Sequence, residues 1–255
     1  MASSHLIYLG TYTRNGDSQG IYAVRLDGDR GALSDPVLAA KATDPAWITF
    51  SPDKKFLYAI DASPAQAIGF AVDPAAARLT PLPSGHPRPP ANPVNPVNPP
   101  SFLAVDATGR VLLAANYRDR FVAAIPIQAD GALGSPHYVR HEGKGVHPTR
   151  QEQPHIHSVT LSPDNRFAIV ADLGLDRVFS YALDPSATTL VPAHPAFVAT
   201  EPGAGPRHFK FGRGGRHGYV INELNSSITA FDYDVDRGAL TPRQTVRTLP
   251  PRAPR

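Results

Sequence analysis

Residues 150–176 read RQEQPHIHSVTLSPDNRFAIVADLGLD. A polar cluster, Arg150, Gln151, Glu152, His155 and His157, runs into a short apolar stretch at 158–161. The chain turns at Ser162-Pro163-Asp164-Asn165, returns as a second apolar stretch at 166–171, and ends on Asp172 and Asp176. Ser, Pro, Asp and Asn are turn formers, and a tight turn sets the start of one strand beside the end of the next. Both polar groups therefore meet at one end of a hairpin, which predicts a site on the rim of a sheet.

The same hairpin recurs. SPDKKFLYAID (51–61), DATGRVLLAAN (106–116), SPDNRFAIVAD (162–172) and GRGGRHGYVIN (212–222) share a turn, a basic residue, an apolar strand and a polar stop. The basic residues Lys55, Arg110, Arg166 and Arg216 lie 55, 56 and 50 residues apart. A second pattern, an alternating strand followed by a turn and a leucine, recurs at 20–33, 67–79, 121–133, 178–190 and 228–240, with Gly-Ala-Leu at 31–33, 131–133 and 238–240. A period near 50 without helical spacing predicts an all-β chain, a β-propeller of four-stranded antiparallel blades. Residues 5–42 supply the outer three strands of a first blade, and four full blades follow at about 45–97, 100–141, 154–200 and 206–249. The expectation is one domain over 1–255, a propeller of about five blades. Residues 83–99 read as a proline-rich loop insert, and 250–255 as a basic Pro/Arg tail. Proline cannot donate to a ladder, so that tail is a poor closing strand.

Composition narrows the function. The 20 glycines and 28 prolines suit many short strands joined by turns. Absence of cysteine excludes a disulfide framework, a thiol nucleophile and a thiolate metal site. The net charge of +3 rests on the last turn of chain, where Arg243, Arg247, Arg252 and Arg255 have no acidic neighbour. That is solvated tail charge, not a nucleic-acid surface. No leader pattern and no membrane-length apolar run is visible, so a cytoplasmic location is expected, with no membrane partner.

Aligning the turns places His157 and Arg207 at the same point, five residues before Ser162 and Gly212; the other two full blades carry Ala46 and Ser101 there. The returning strands end at Asp172 and Asn222, with Glu223 next. His157, Arg207, Asp172, Asn222 and Glu223 are thus expected at one mouth of the central channel. A carboxylate, an imidazole and a guanidinium converging there make an acid–base site, with arginine suited to an anionic substrate. Asp172 and Asn222 also fit turn capping. His155 and His157 project to one side of a strand, but no third ligand stands at short spacing, so no metal is expected. His141, His147 and His194 read as polar loop residues, and Trp47 as packing between blades.

These residues carry a resemblance. GTYT with SQGIY (10–13, 18–22), ANY (115–117), RQEQPHIHS (150–158), ADLGLDRV (171–178), PGAGPRH (202–208) and INEL (221–224) resemble the seven-bladed propeller lactonases, which include bacterial 6-phosphogluconolactonases and fungal carboxymuconate cyclases. The resemblance implies a cofactor-free cytosolic hydrolase of carbohydrate metabolism, in the pentose phosphate pathway, that opens a small anionic sugar lactone, most simply 6-phosphogluconolactone. Its alternatives are a muconate-type lactonizing cycloisomerase and a truncated, inactive propeller. It implies catalytic roles for a histidine of the PHxH motif, His155 or His157, for Arg207 and for Glu223. The register favours His157. Arg150, His155, His208, Asn222 and Asp172 are expected to bind substrate. Two departures stand out. The chain stops after its fifth blade where the family has seven, and the family's Asn-Arg-Gly arginine has no counterpart. A monomer is expected if the propeller closes.

Overall fold

The computed structural model describes residues 4–63, 65–83 and 98–250. Its regular structure is entirely β. Blade 1 holds β1 (Ser4–Gly10), β2 (Gly20–Asp27), β3 (Ala32–Leu33) and β4 (Val37–Lys41). Blade 2 holds β5 (Ile48–Phe50), β6 (Phe56–Asp61), β7 (Gln66–Asp73) and β8 (Arg78–Pro81). Blade 3 holds β9 (Phe102–Val105), β10 (Val111–Asn116), β11 (Phe121–Pro126) and β12 (His137–Arg140). Blade 4 holds β13 (Ile156–Leu161), β14 (Phe167–Asp172), β15 (Arg177–Asp184) and β16 (Thr189–Ala199). Blade 5 holds β17 (Pro206–Phe211), β18 (His217–Asn222), β19 (Ser227–Asp234) and β20 (Ala239–Arg247).

Each is a four-stranded antiparallel sheet, and in blades 2 to 5 the strands pair in chain order. In blade 1, β3 and β4 lie along the same edge of β2, as two pieces of one outer strand, and β1 is at the other edge. The first strands β5, β9, β13 and β17 contact one another in succession, so they line the axis of a β-propeller. Most of the proline-rich insert (84–97) and the tail residues 251–255 lie outside the described residues. No helix among the described residues is long and apolar enough to cross a membrane.

Strand period makes the core. Successive side chains point to opposite faces, and here each face meets a different neighbour. Along β10, Val111, Leu113 and Ala115 pack toward blade 4, while Leu112 and Ala114 pack toward blade 2. Along β14, Ala168 and Val170 face blade 3, and Phe167, Ile169 and Ala171 face blade 5. Both strands are therefore buried throughout. β18 buries Val220 against blade 4 but leaves Tyr219 and Ile221 each 43% exposed on its far face.

The repeated turns have a common physical basis. Ser51 and Ser162 accept hydrogen bonds from the amides of Phe56 (3.0 Å) and Phe167 (2.9 Å) and donate to Asp53 and Asp164. In blade 3 the carboxylate of Asp106 takes over, accepting from the amides of Arg110 and Val111 at 2.8 Å. The recurring Gly-Ala-Leu is explained at its first residue. Gly131 and Gly238 have φ of 84° and 67°, and a Cβ at either would fall within 2.5 Å of a ring of the preceding blade, Phe56 or Phe167. Gly31 shares the left-handed φ but faces open space. Gly31→Ala should therefore cost only about 1–2 kcal/mol of backbone strain, and Gly238→Ala about 1–3 kcal/mol more through overpacking. Urea unfolding of the two variants measures the difference.

Candidate active site

Two bulges build the site. The β13–β14 register steps from Ile156↔Asp172 to Ser158↔Ala171, leaving His157 as the extra residue. The β17–β18 register steps from Pro206↔Asn222 to His208↔Ile221, leaving Arg207. A bulge bends its strand and re-aims a side chain. The matching sequence positions of His157 and Arg207 are thus matching bulges in adjacent blades. Glu223 leaves the end of β18, its amide bonded to the carbonyl of Gly205 at 2.8 Å.

These three side chains meet. Arg207 Nε–H donates to His157 Nε2 at 3.1 Å, and the same nitrogen lies 2.9 Å from Glu223 Oε2. Arg150 Nη2 pairs with the other oxygen, Glu223 Oε1. Each carboxylate oxygen therefore has its own guanidinium. Burial alone would raise the Glu223 pKa. The Arg150 hydrogen bond and the charges of Arg150 and Arg207 outweigh it, so the group is held below the ordinary carboxylate range. Burial, with the charge of Arg207 and the neighbouring His208, brings His157 down to about 4. His157 is therefore neutral at pH 7. Its Nε2 receives the arginine proton, so its own hydrogen sits on Nδ1.

The surroundings are aromatic. The His208 ring meets those of Trp47, Phe102 and His157 edge-on, with centroids 5.8, 5.6 and 5.1 Å away. Trp47 lies against Phe102 at 3.9 Å and donates its indole N–H to the Leu103 carbonyl. Trp47 packs between blades, as expected, and also reaches across the axis to blade 5. Burial and Arg207 lower His208 to about 4, so this imidazole borders the site without positive charge. A neutral imidazole can still donate one N–H to an anion, but it adds no charge to the site.

Other expected residues are placed differently. Asp172 is fully buried. Its Oδ1 accepts from the amides of His155, Gly174 and Leu175, and its Oδ2 accepts from His141 Nδ1 at 2.6 Å. His141 Nε2 accepts from the Tyr181 hydroxyl at 2.8 Å. Asp172 thus ties down the loop beneath the site and does not face a substrate, and His141, in the loop just after β12, is a buried link in that chain. Asn222 is also buried, donating to Ser227 and Thr229. Turn capping explains Asp172, whereas Asn222 is held by two hydroxyls of β19. His155 is buried, stacks on Tyr117 at 4.2 Å and donates from Nδ1 to the Tyr117 carbonyl at 3.0 Å. It positions Tyr117, whose ring also meets His157 edge-on at 5.6 Å. His155 and His157 thus sit on different parts of one tyrosine and do not converge.

Sequence reasoning left Tyr117 without a role and marked Gln151 and Asp176 only as members of the polar clusters at the rim. Tyr117 lines the same cleft as Arg150; only its place in the ANY motif marked it. Gln151 is fully buried, donates to Asp176 Oδ1 (2.7 Å) and to the Leu173 carbonyl, and accepts from the His147 amide. Asp176 also accepts from the amides of Gly203 (2.7 Å) and Gly205 (2.8 Å). His147, expected to be a simple loop residue, accepts the Arg150 amide at 3.2 Å. The backbone beside Arg150 is therefore fixed while its side chain stays 42% exposed. That side chain forms one wall of a cleft of about 420 Å³ that also includes Tyr117, Arg118, Thr149, Glu152 and His155.

Two outcomes follow. His157 and His208 bind a proton more weakly folded than unfolded. Stability should be full above about pH 6.5 and fall as the pH drops toward 4. Urea midpoints at pH 7 and pH 5, with imidazole NMR titrations near 4, check this. Asp172→Ala strands buried donors, and should cost about 3–5 kcal/mol by the same unfolding measurement.

Comparison with known proteins identifies the family. The family described as "Lactonase, 7-bladed beta-propeller" matches residues 6–255. The 6-phosphogluconolactonase of Bacillus subtilis is 33% identical over 251 residues, 97% of this chain and 68% of the relative. That of Erwinia tasmaniensis is 31% identical, over 94% of this chain and 65% of the relative. The structure of the periplasmic gluconolactonase of Pseudomonas aeruginosa superposes with a TM-score of 0.85 at 31% identity, over 99% of this chain and 70% of its own. The chain thus spans about two thirds of these relatives. With a matched family, a propeller of the corresponding blades and a carboxylate held between arginines at its mouth, the chain belongs to the seven-bladed β-propeller lactonases, hydrolases that open lactone rings.

Proposed function

We propose that the chain hydrolyses 6-phosphogluconolactone to 6-phosphogluconate. The observation that carries the reading is Glu223 flanked by Arg150 and Arg207 at the propeller mouth. An exposed guanidinium beside a cleft suits the phosphate of such a substrate, and the cleft volume lies within the range of about 300–1,000 Å³ usual for small-molecule sites. The names of the Bacillus and Erwinia relatives point to the same lactone.

The chemistry follows from the pairing. Glu223 takes a proton from water, and the water oxygen bonds to the lactone carbonyl carbon. The carbonyl electrons move to its oxygen, and the Arg207 guanidinium stabilises that oxyanion. The carbon–ring-oxygen bond then breaks, and the ring oxygen leaves with the proton that Glu223 received. His157 cannot serve as the base while its Nε2 accepts from Arg207; it orients the guanidinium instead. Arg150 and Tyr117 face the phosphate.

Glu223→Gln should lower kcat by about 10²–10⁴-fold without changing the urea midpoint, followed by pH-stat against spontaneous hydrolysis. Full activity of that variant would remove Glu223 from the mechanism. Turnover of a carboxylated muconolactone but not of 6-phosphogluconolactone would assign the site to the other substrate.

A further inference from the structure

We infer that Arg150 is a substrate-operated latch on Glu223: the anionic group of an incoming sugar lactone draws the Arg150 guanidinium off the carboxylate, and only then is Glu223 free to accept a proton from water. The inference rests on Glu223 being the base of the proposed hydrolysis.

The geometry separates the two arginines. Arg207 sits at a strand bulge with its Nε–H committed to His157. Arg150 lies outside any strand, in the segment between β12 and β13. Its Cα is held by buried Gln151 and by the His147 ring, and its side chain lines the open cleft. Arg150 lines this cleft together with Arg118, Asp119 and Glu152, whereas Arg207, equally exposed, is tied to His157. Tyr117 lines the same cleft.

The groups facing Glu223 are Arg150, Arg207 and His157, with His208 beyond His157 and Tyr117 beside Arg150. With both arginines in place, both carboxylate oxygens are occupied and the negative charge is neutralised, so the group is a weak base. A phosphate offers a fork of oxygens that competes for the Arg150 guanidinium. Once it does, Oε1 opens to water and Glu223 loses one of the charges that depress its proton affinity. A lactone without an anionic group leaves the latch closed. Selectivity for charged lactones then appears in kcat as well as in KM, because binding energy at the remote phosphate is used at the reacting centre.

The test reads Glu223 directly and needs no turnover. The glutamates of the chain are Glu142, Glu152, Glu201 and Glu223, so carboxyl-labelled protein gives a spectrum that a Glu223→Gln sample assigns. The probe is glucose 6-phosphate, a pyranose with the phosphate and no lactone ester, compared with glucose. In the wild type, glucose 6-phosphate should raise the Glu223 midpoint by about one pH unit, and glucose should leave it unchanged. In Arg150→Met the midpoint should already be high and move little. Arg150→Lys, which keeps the charge, should start low and respond, and it serves should the Met variant not fold. Three results would overturn the latch: failure of glucose 6-phosphate to bind by calorimetry, an unchanged wild-type midpoint on binding, or an equal rise in Arg150→Met, which would be a plain field effect of the phosphate. Hydrolysis of 6-phosphogluconolactone is assayed separately. Its absence alongside a responsive midpoint would remove the substrate assignment and leave the latch, and the reverse pattern would do the opposite.

Discussion

The buried carboxylate of Asp176 connects the two halves of the site. It lies just before β15 and accepts from Gln151 on one side and from the Gly203 and Gly205 amides on the other. Arg150 adjoins the first partner in sequence, and Arg207 follows the second closely. One carboxylate thus sets the spacing of two arginines from different segments. Glu223 fits between them because its own amide is bonded to Gly205. A buried acceptor that takes several donors at once has little freedom to shift, so the pairing of Glu223 with two cations is a consequence of the frame beneath it.

That frame depends on how blades pack. Strands β10, β11, β14 and β15 of blades 3 and 4 divide their side chains between two neighbours, so these blades share their cores with the ones beside them. The packing fixes the inner strands and points their ends at a common mouth. The two bulges then lift His157 and Arg207 out of regular alternation and toward each other. A regular strand would have sent each of them to an inter-blade face.

The electrostatics follow from partial burial. Glu223 is ionised because two guanidinium groups offset the cost of its desolvation, whereas His157 and His208 are neutral because Arg207 adds to the cost of theirs and Glu223 offsets only part of it. The result is a site with fixed cations, one carboxylate and two uncharged rings. That arrangement is what the proposed anionic lactone and the proposed latch rest on.

Much of this was legible in the chain. The repeat near 50 residues marked the blades, because a strand, a turn and a polar stop must recur wherever the same packing recurs. The turn register marked His157, Arg207 and Glu223, since position relative to a turn determines which end of a strand a residue occupies. What the sequence could not separate was a polar residue at a strand end that faces substrate from one that faces inward. Asp172 and Asn222 belong to the second kind, and His141 joins Asp172 from another blade. Burial and partnership across blades are properties of the packed whole, set by contacts between segments tens of residues apart. The sequence determined the blades, the rim and the residue types upon it; the tertiary structure decided which of those side chains reach the mouth and which are consumed in holding it open, because only packing determines which hydrogen-bonding groups lose their access to water.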